Sequence, residues 1–411
     1  MTAVILAGGF GTRIADSCRD LPKPMLPVCG KPVLEHQIHI LRREGIQDFL
    51  LVTGYLAEKI ENYFADGSQF GVHITYFRET EPLGTAGALF HLALKEDFLL
   101  CSGDLIFDFS LEPMFRQHRQ NRALATLFVH PNAHPCDSTR VCVAENARIC
   151  AFLPKAPDRK DGANLSNAGI QILSPELLKL FPQTGRADLD KDLLRPAVNT
   201  GRLFAYKSTE YVRDMGTPER YAQVQTDVAS GLVRRRNRSF AQKAVFLDRD
   251  GTLNVYKEHI TKPEQIELLP GAAKAIAALN RKGYLTVRVT NQPVIAKGMC
   301  TQAQLRTVHD RLETLLGKEG AYLDAIYFCP HHPEKGFAGE RPEYKIPCAC
   351  RKPSPGMLLQ AAEDLHISLQ ESYMIGDSDR DVQAGRRAGC TPVLLHSSAD
   401  LYAFAASLPP I

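Results

Sequence analysis

Short apolar runs alternate with amphipathic segments through most of the chain. Residues 3–7 form an unbroken apolar run typical of a buried strand, and residues 32–43 repeat apolar positions at helical spacing up to Gly45. This alternation predicts a doubly wound α/β domain with a largely parallel sheet. The other predicted elements here are strands at residues 49–53, 73–77 and 98–102, helices at 57–64 and 85–94, irregular strands at 123–130, 141–144 and 149–153, and a helix at 218–229.

The alternation starts again at residue 244, after a segment that contains five basic residues and no acid (residues 231–243, GLVRRRNRSFAQK). We interpret residues 233–243 as a solvated linker. The sequence therefore predicts an α/β fold of two doubly wound, Rossmann-like domains, one over residues 1–232 and one over residues 244–411. The second domain's predicted elements are strands at 244–247, 285–290, 373–376 and 392–395 and helices at 272–281, 302–316 and 380–387.

Composition narrows the choice of environment and partners. Apolar residues make up 44% of the chain, charged residues 23%, and the net charge is only +3, so a nucleic-acid binder is not indicated. No apolar run reaches the roughly 18 residues of a membrane span. Eleven cysteines, an odd number, favour a reducing compartment over a disulfide framework. We expect a cytoplasmic protein acting on small molecules, and leave its oligomeric state open.

A glycine-rich turn follows the first predicted strand. It contains Gly8, Gly9, Gly11, Thr12 and Arg13. Glycines let backbone N–H groups approach a phosphate closely, and an arginine fork suits phosphate oxygens. The turn alone is weak evidence, because a tight connection has the same composition. Lys23 then lies between two prolines, and could offer an ammonium group to a second phosphate.

Two aspartates are candidate metal ligands in the first domain. Asp104 follows the predicted strand at 98–102, where a carboxylate at the C-terminal end of a parallel strand faces the ligand crevice. Asp214, in the segment RDMGTP, could supply a second carboxylate. Two carboxylates together with phosphate oxygens and waters suit Mg²⁺.

These motifs occur in a fixed order: LAGGFGTR, LPKPMLPVCGKPVLEH, EPLGTAGAL, SGD and RDMGTPERY. In that order they resemble the sugar-1-phosphate nucleotidyltransferase family, which implies a GT-A-like domain joining a sugar 1-phosphate to a nucleotide with loss of pyrophosphate. The resemblance implies that Arg13 and the turn hold the triphosphate, that Lys23 offsets charge at the reacting phosphates, and that Asp104 and Asp214 place Mg²⁺. It further implies nucleobase approach at Gly84 and a sugar pocket at Asn167 and Gly169.

The LPKPM form with EPLGTAGAL is most similar to the heptose-1-phosphate guanylyltransferase branch, which implies GTP as the nucleotide. One position departs from the family pattern. Where relatives carry Glu-Lys after the last central strand, this chain has Pro154-Lys155. Lys155 remains an expected sugar-phosphate contact.

A pair of aspartates marks the second domain. Asp248 and Asp250 follow a buried strand pattern, and strand alternation places residues i and i+2 on one side. Two carboxyls at one centre allow one to attack phosphorus while the other transfers a proton. Thr290 with Asn291, Lys352 and Asp377 follow later apolar segments.

The segments FLDRDGTLN, VTN, RKP and GDSDRD occur in this order and resemble the haloacid-dehalogenase-like phosphatases, with similarity to the heptose-bisphosphate and histidinol-phosphate phosphatases. The resemblance implies that Asp248 is the nucleophile and Asp250 the acid and base. Thr290, Asn291 and Lys352 would hold the phosphoryl group, and Mg²⁺ would bind Asp248, Asp377 and the Asp250 carbonyl. Pro293-Val294 replaces the usual Ser-Gly of this loop.

Three cysteines and a histidine form the pattern C-x-H … C-x-C. Cys329, His331, Cys348 and Cys350 favour a tetrahedral, structural Zn²⁺ site, and the resembling phosphatases carry the same pattern. Arg351 and Lys352 follow Cys350 directly, so we hypothesise that zinc fixes the loop presenting these two cations to substrate.

Taken together, the two resemblances fit one pathway. Removing the 7-phosphate of a heptose 1,7-bisphosphate yields a heptose 1-phosphate, the acceptor that the first domain would need. The sequence therefore predicts a bifunctional enzyme making GDP-D-glycero-D-manno-heptose. Two alternatives stay open: a hexose-1-phosphate nucleotidyltransferase joined to a histidinol-phosphate-type phosphatase, or one catalytically silent regulatory domain.

Overall fold

The computed structural model describes residues 1–9, 20–155 and 162–411. The chain forms two compact units. The first comprises Met1–Val129, Val141–Leu153 and Asn167–Asn237, and the second comprises His130–Arg140, Pro154–Ser166 and Arg238–Ile411. The predicted α/β class is confirmed in both.

A nine-stranded sheet organises the first unit. Strands β6, β1, β4 and β5 run parallel in that spatial order, and β11 joins β6 antiparallel. The sheet is therefore mixed, although its central part is parallel as predicted. The strands are β1 (Thr2–Leu6), β2 (Pro27–Val28), β3 (Lys31–Pro32), β4 (Asp48–Thr53), β5 (His73–Arg78), β6 (Phe98–Ser102), β7 (Leu105–Asp108), β8 (Ala125–His130), β9 (Arg140–Val143), β10 (Ile149–Leu153), β11 (Ser166–Leu173), β12 (Leu203–Lys207) and β13 (Tyr211–Asp214).

The helices of the first unit bury apolar faces against this sheet. In α1, for example, Leu34, Ile38 and Leu41 recur at helical spacing and join the core that contains Ile5 of β1. The helices are α1 (Val33–Arg43), α2 (Ala57–Phe64), α3 (Leu111–Gln120), α4 (Pro175–Leu180), α5 (Arg195–Ala197), α6 (Pro218–Ala229) and α7 (Leu232–Arg235), and residues Leu189–Leu194 form a π-helix.

Several segments differ from the sequence prediction; residues 130–140 and 154–166, inside the predicted first domain, are grouped with the second unit. The helix predicted at 85–94 is only a 3₁₀ turn, Gly87–His91. Just before it, Ala86 N donates to Ala187 O at 3.0 Å. Residues 233–237, predicted as linker, belong to the first unit. There Val233 packs with Met215, and Asn237 donates to Asp108 at 2.6 Å.

A five-stranded parallel sheet organises the second unit, in the order β16-β15-β14-β17-β18. Apolar clusters cover both faces, as is typical of parallel sheets. The elements are β14 (Ala244–Leu247), α8 (Ala272–Lys282), β15 (Leu285–Asn291), α9 (Gln302–Lys318), β16 (Ala325–Cys329), α10 (Gly356–Leu365), β17 (Tyr373–Gly376), α11 (Asp379–Ala388), β18 (Thr391–Leu394) and α12 (Ser398–Ser407). Among the described residues, no helix has the length and hydropathy that crossing a bilayer requires.

Candidate active sites and metal centre

Three neighbouring strands of the second unit end at the same edge of the sheet. Asp248 directly follows β14, Asn291 ends β15, and Asp377 directly follows β17. Because β14 lies between β15 and β17, their carboxyl ends bring these polar residues together.

Lys352 forms the centre of this group. Its ammonium lies 2.9 Å from Asp248 Oδ1 and 2.6 Å from Asp381 Oδ1, and it donates to Val289 O at 2.9 Å. Burial would lower the pKa of Lys352, but Asp248 and Asp381 outweigh burial and raise it. The lysine is therefore a permanent cation at the floor of the site.

Three carboxylates surround that cation. Asp248, Asp377 and Asp381 each offer an oxygen, and these atoms lie within 4.8 Å of one another. Burial and the mutual repulsion of the carboxylates raise the pKa of Asp248 and of Asp377, against the opposing pull of Lys352. An all-oxygen group of this kind fits Mg²⁺.

Asp250 faces a different set of partners. Its carboxylate accepts bonds from Arg249 (Nη2, 2.8 Å), Asn254 (3.0 Å) and Gln292 (3.1 Å). Burial would raise the pKa of Asp250. The charge of Arg249 and the hydrogen bonds from Arg249, Asn254 and Gln292 outweigh burial and hold this pKa below its usual value. Asp250 is thus an ionised carboxylate in this arrangement.

The residues expected to hold a phosphoryl group form hydrogen bonds with other groups of the protein in this structure. Thr290 Oγ1 accepts from Gln292 at 2.9 Å. Asn291 bonds with both its amide atoms to the backbone of Lys352, at 2.9 and 3.0 Å, so its observed contact holds that lysine in place. Arg351 donates to His331 O at 3.0 Å.

The predicted zinc ligands form a compact group. The sulfurs of Cys329, Cys348 and Cys350 lie 3.2–3.5 Å apart, and His331 Nδ1 lies 3.4 Å from Cys350 Sγ and 3.7 Å from Cys329 Sγ. Tetrahedral zinc with bonds of about 2.3 Å to sulfur places its ligands about 3.8 Å apart. The hydrogen bond with Cys329 is the largest cause that lowers the pKa of Cys350 to about 5, and the same bond raises the pKa of Cys329. Cys350 is therefore the thiol of the group that most readily forms the thiolate that a metal binds. The group fits Zn²⁺.

In the first unit, Gly8 and Gly9 directly follow β1, whereas Gly11, Thr12 and Arg13 lie outside the described residues. Gly8 lies against the side chain of Glu79 at the end of β5: a β-carbon built on Gly8 would stand 2.6 Å from Glu79 Oε2. Burial raises the pKa of Glu79, and a bond from Leu83 N opposes that shift.

Lys23 and Asp104 form an ion pair of 3.2 Å, with both side chains partly exposed. The loop that carries Asp104 is fixed from within the core, because the buried amide of Gln37 donates to Ser102 O (2.9 Å) and Leu105 O (2.8 Å). The structure thus brings together the predicted lysine and the predicted carboxylate.

Asp214 lies on the adjoining hairpin. Strands β7 and β13 pair antiparallel with Asp214 opposite Leu105, and Met215 N donates to Asp104 O at 3.1 Å. The carboxylate of Asp214 accepts two bonds from Arg220 Nη1, at 2.7 and 3.0 Å. Each predicted metal ligand of this unit therefore has a cationic partner.

The remaining predicted contacts of the first domain are spread out. Gly169 packs against Ser102, near Asp104, and Asn167 Oδ1 accepts from Gly169 N at 3.1 Å. Lys155 is exposed and belongs to the second unit. The space beside Gly84 is occupied by the Ala187 carbonyl, which explains the glycine; nucleobase approach there stays a prediction.

Several residues of these sites were not singled out from the sequence. They are Glu79, Arg220, Arg249 and Gln292. Asp381 ends the motif GDSDRD, where the resemblance implies that it supports Asp377, and the structure pairs it with Lys352 at 2.6 Å. Arg249 lies inside the motif FLDRDGTLN and Arg220 inside RDMGTPERY, and Gln292 directly follows VTN, so their places next to motif residues were the available signal. Glu79 becomes visible only through its tertiary contact with Gly8.

The family profile of Nucleotidyl transferase matches residues 2–231, and that of HAD-hydrolase-like proteins matches residues 349–401. The D-glycero-beta-D-manno-heptose-1,7-bisphosphate 7-phosphatase of Salmonella typhi is 42% identical over 155 residues, which are 38% of this chain and 80% of the relative. The Pasteurella multocida (strain Pm70) phosphatase of the same name is 43% identical over 148 residues, 36% of this chain and 77% of its own.

Among solved structures, HddC from Yersinia pseudotuberculosis complexed with GMP-PN aligns with a TM-score of 0.49 and 25% identity. The alignment covers 55% of this chain and 99% of that one.

Replacing Gly251 by alanine should displace Asp377. Gly251 has φ of +80° and its β-carbon would collide with Asp377 Oδ2. We expect the free energy of unfolding, measured by urea denaturation, to fall by about 1–3 kcal/mol. Gly389 is the matched control: its φ is +90° with nothing within 4 Å, so Gly389→Ala carries only the conformational cost. Equal losses in the two variants would contradict the close contact with Asp377.

Proposed function

We propose that this chain is a bifunctional enzyme of nucleotide-activated heptose synthesis. It belongs to the Nucleotidyl transferase family through residues 2–231. Through a 155-residue segment it also belongs to the D-glycero-beta-D-manno-heptose-1,7-bisphosphate 7-phosphatase family. Both family resemblances predicted from the sequence are confirmed by these matches. The chain joins a nucleotidyltransferase domain to a HAD-like phosphatase domain. We propose residues 1–232 and 244–411 as the two catalytic domains.

In the proposed phosphatase reaction, Asp248 attacks the phosphorus of the 7-phosphate and the phosphorus–oxygen bond to the sugar breaks. Lys352 supports this assignment, because its ammonium pairs with both Asp248 and Asp381 and partly offsets their charge beside the nucleophile. Water then attacks the aspartyl-phosphate and Asp250 accepts its proton. For Asp250 to donate a proton to the sugar oxygen in the first step, it must first leave Arg249 and become protonated.

Magnesium, held by Asp248, Asp377 and the Asp250 carbonyl, would supply positive charge to the phosphoryl oxygens. The mutual approach of Asp248, Asp377 and Asp381 to within 4.8 Å supports such a site. Asp381 is tied to Lys352 and Ser378 (2.6 Å), which favours a supporting part for it.

In the proposed transferase reaction, an oxygen of the sugar 1-phosphate attacks the α-phosphorus of the nucleoside triphosphate, and pyrophosphate leaves. Lys23 would offset charge on the reacting phosphates, and Asp104 and Asp214 would hold Mg²⁺. The Lys23–Asp104 ion pair and the β7–β13 hairpin support this grouping. We assign Arg13, Gly11 and Thr12 to the triphosphate on their motif alone.

The two reactions are joined by their chemistry. Hydrolysis of the 7-phosphate of D-glycero-D-manno-heptose 1,7-bisphosphate leaves a heptose 1-phosphate, and that compound is the acceptor for nucleotidyl transfer. The observation that carries the proposal is the Lys352-centred group of carboxylates in a chain that also has a nucleotidyltransferase domain.

Glu79 supports GTP as the nucleotide. Guanine presents two adjacent donors, N1–H and the exocyclic amine, and a carboxylate can accept both. Glu79 is partly buried beside Gly8, at the turn expected to hold the nucleotide.

Replacing Asp248 by asparagine should separate the two activities. Without the nucleophile, phosphate release from the bisphosphate should fall by roughly a thousandfold or more. Pyrophosphate production from GTP and supplied heptose 1-phosphate should remain, and it serves as the control for folding. Both products would be measured in parallel colorimetric assays. Retained phosphate release would refute the assignment of Asp248.

Replacing Glu79 by glutamine should weaken selection of guanine. The amide keeps one acceptor and adds a donor that opposes guanine's donors, so kcat/KM for GTP should fall about tenfold to a hundredfold. The value for ATP should not fall. Glu81→Gln, in the same loop but exposed, is the matched control. An equal loss with both nucleotides would contradict base recognition by Glu79.

Replacing Cys348 by serine should remove zinc and impair the phosphatase alone. We expect the zinc content, measured by mass spectrometry, to drop, because one of four ligands is lost. Phosphate release should drop with it, since the loop presenting Arg351 and Lys352 loses its anchor. Cys150→Ser, an exposed cysteine of the first unit, should change neither. Equal loss of pyrophosphate production would contradict a zinc role confined to the phosphatase.

A further inference from the structure

Arg288 is a charged residue in the middle of a buried strand. Arg288 lies on β15, where it is paired in register with Leu247 of β14 and with Ile326 of β16. The side chain is 0% exposed, and none of its three guanidinium nitrogens has a hydrogen-bond partner among the residues that the structure describes. Strand alternation places it on the same face as Thr290, two residues nearer the catalytic edge.

Packing alone does not account for this arginine. A buried ion loses its hydration, and an arginine cannot avoid that cost by releasing its proton. A methionine would fill much the same volume between Leu247 and Ile326 without the cost. The charge itself therefore requires an explanation.

The charges that act on Arg288 connect it to the phosphatase site. Burial and the neighbouring Arg249 lower the pKa of Arg288 to about 9, whereas Glu313, Asp250 and Asp248 act in the opposite direction. It is therefore a cation at neutral pH. His309 adds no charge, because burial, Arg288 and Arg249 hold its pKa well below the usual value.

The site next to Arg288 has more carboxylates than cations. Such an excess attracts a metal ion and repels a phosphoryl dianion. The two cations described above cannot balance all of these acids. The carboxylates are Asp248, Asp250, Asp377 and Asp381, and the cations are Lys352 and Arg249.

We propose that Arg288 is a positioning residue that acts on the phosphatase site through its fixed charge. It weakens the hold of the carboxylates on magnesium and favours entry of the phosphoryl dianion, without touching either. This inference rests on the proposed phosphatase function of the second unit.

The test is Arg288→Met in the full chain. Loss of the buried cation should tighten Mg²⁺ binding and weaken orthophosphate binding, each by about threefold to tenfold. Both constants would be measured by isothermal titration calorimetry in an Asp104→Asn background, which removes one candidate ion ligand of the first unit. Arg288→Lys keeps the charge and should restore both constants.

Two further variants separate charge from structure. Arg140→Met removes another fully buried arginine whose nitrogens have no hydrogen-bond partner in the described part of the chain, and it should leave both constants unchanged. Glu313→Gln removes an acid whose charge acts on Arg288 and should shift both constants in the opposite sense. Glu313 lies on α9 and is not fully buried. The Glu313→Gln variant therefore tests the effect of charge on both constants even if Arg288→Met fails to fold.

Opposite shifts of the two constants would support the inference. Constants unchanged in Arg288→Met and Glu313→Gln, or shifts of both constants in the same sense, would overturn it. A wild-type protein that binds both ions but releases no phosphate would refute the proposed phosphatase, while the same constants would still decide the role of Arg288.

Discussion

The second unit depends on keeping like charges together. Asp248, Asp377 and Asp381 converge at one edge of a parallel sheet, and their repulsion would open that edge if Lys352 did not lie between two of them. The lysine is itself held by Val289 O and by the clamp from Asn291 to its backbone. The same interaction thus stabilises the fold locally and leaves a cation where a phosphoryl group would arrive.

The first unit uses cations in a similar way at lower burial. Lys23 pairs with Asp104, and Arg220 pairs with Asp214. These side chains are partly exposed, so the pairs contribute little stability. The buried arrangement around Lys352 is rigid by comparison. Both sites therefore pair carboxylates with cations, and the pairs of the second unit are more deeply buried.

Much of this could be predicted from sequence. Strand alternation indicated the α/β class. Motif order brought Asp248 and Asp377 to neighbouring strand ends and grouped Cys329, His331, Cys348 and Cys350, because short motifs at strand ends determine the positions of their own residues. The segment 85–94 was predicted as a helix from its local pattern, and the structure has only the 3₁₀ turn Gly87–His91 there. Glu79 and Arg288 were missed because their significance lies in burial and in tertiary neighbours, which a local sequence pattern does not encode.

The most direct measurement is to incubate the protein with D-glycero-D-manno-heptose 1,7-bisphosphate and each nucleoside triphosphate in turn, and to identify products by mass. The account predicts GDP-heptose together with orthophosphate and pyrophosphate when GTP is present. It predicts heptose 1-phosphate and orthophosphate alone when no nucleotide is added. An intact bisphosphate, or a nucleotide sugar that still carries the 7-phosphate, would contradict it.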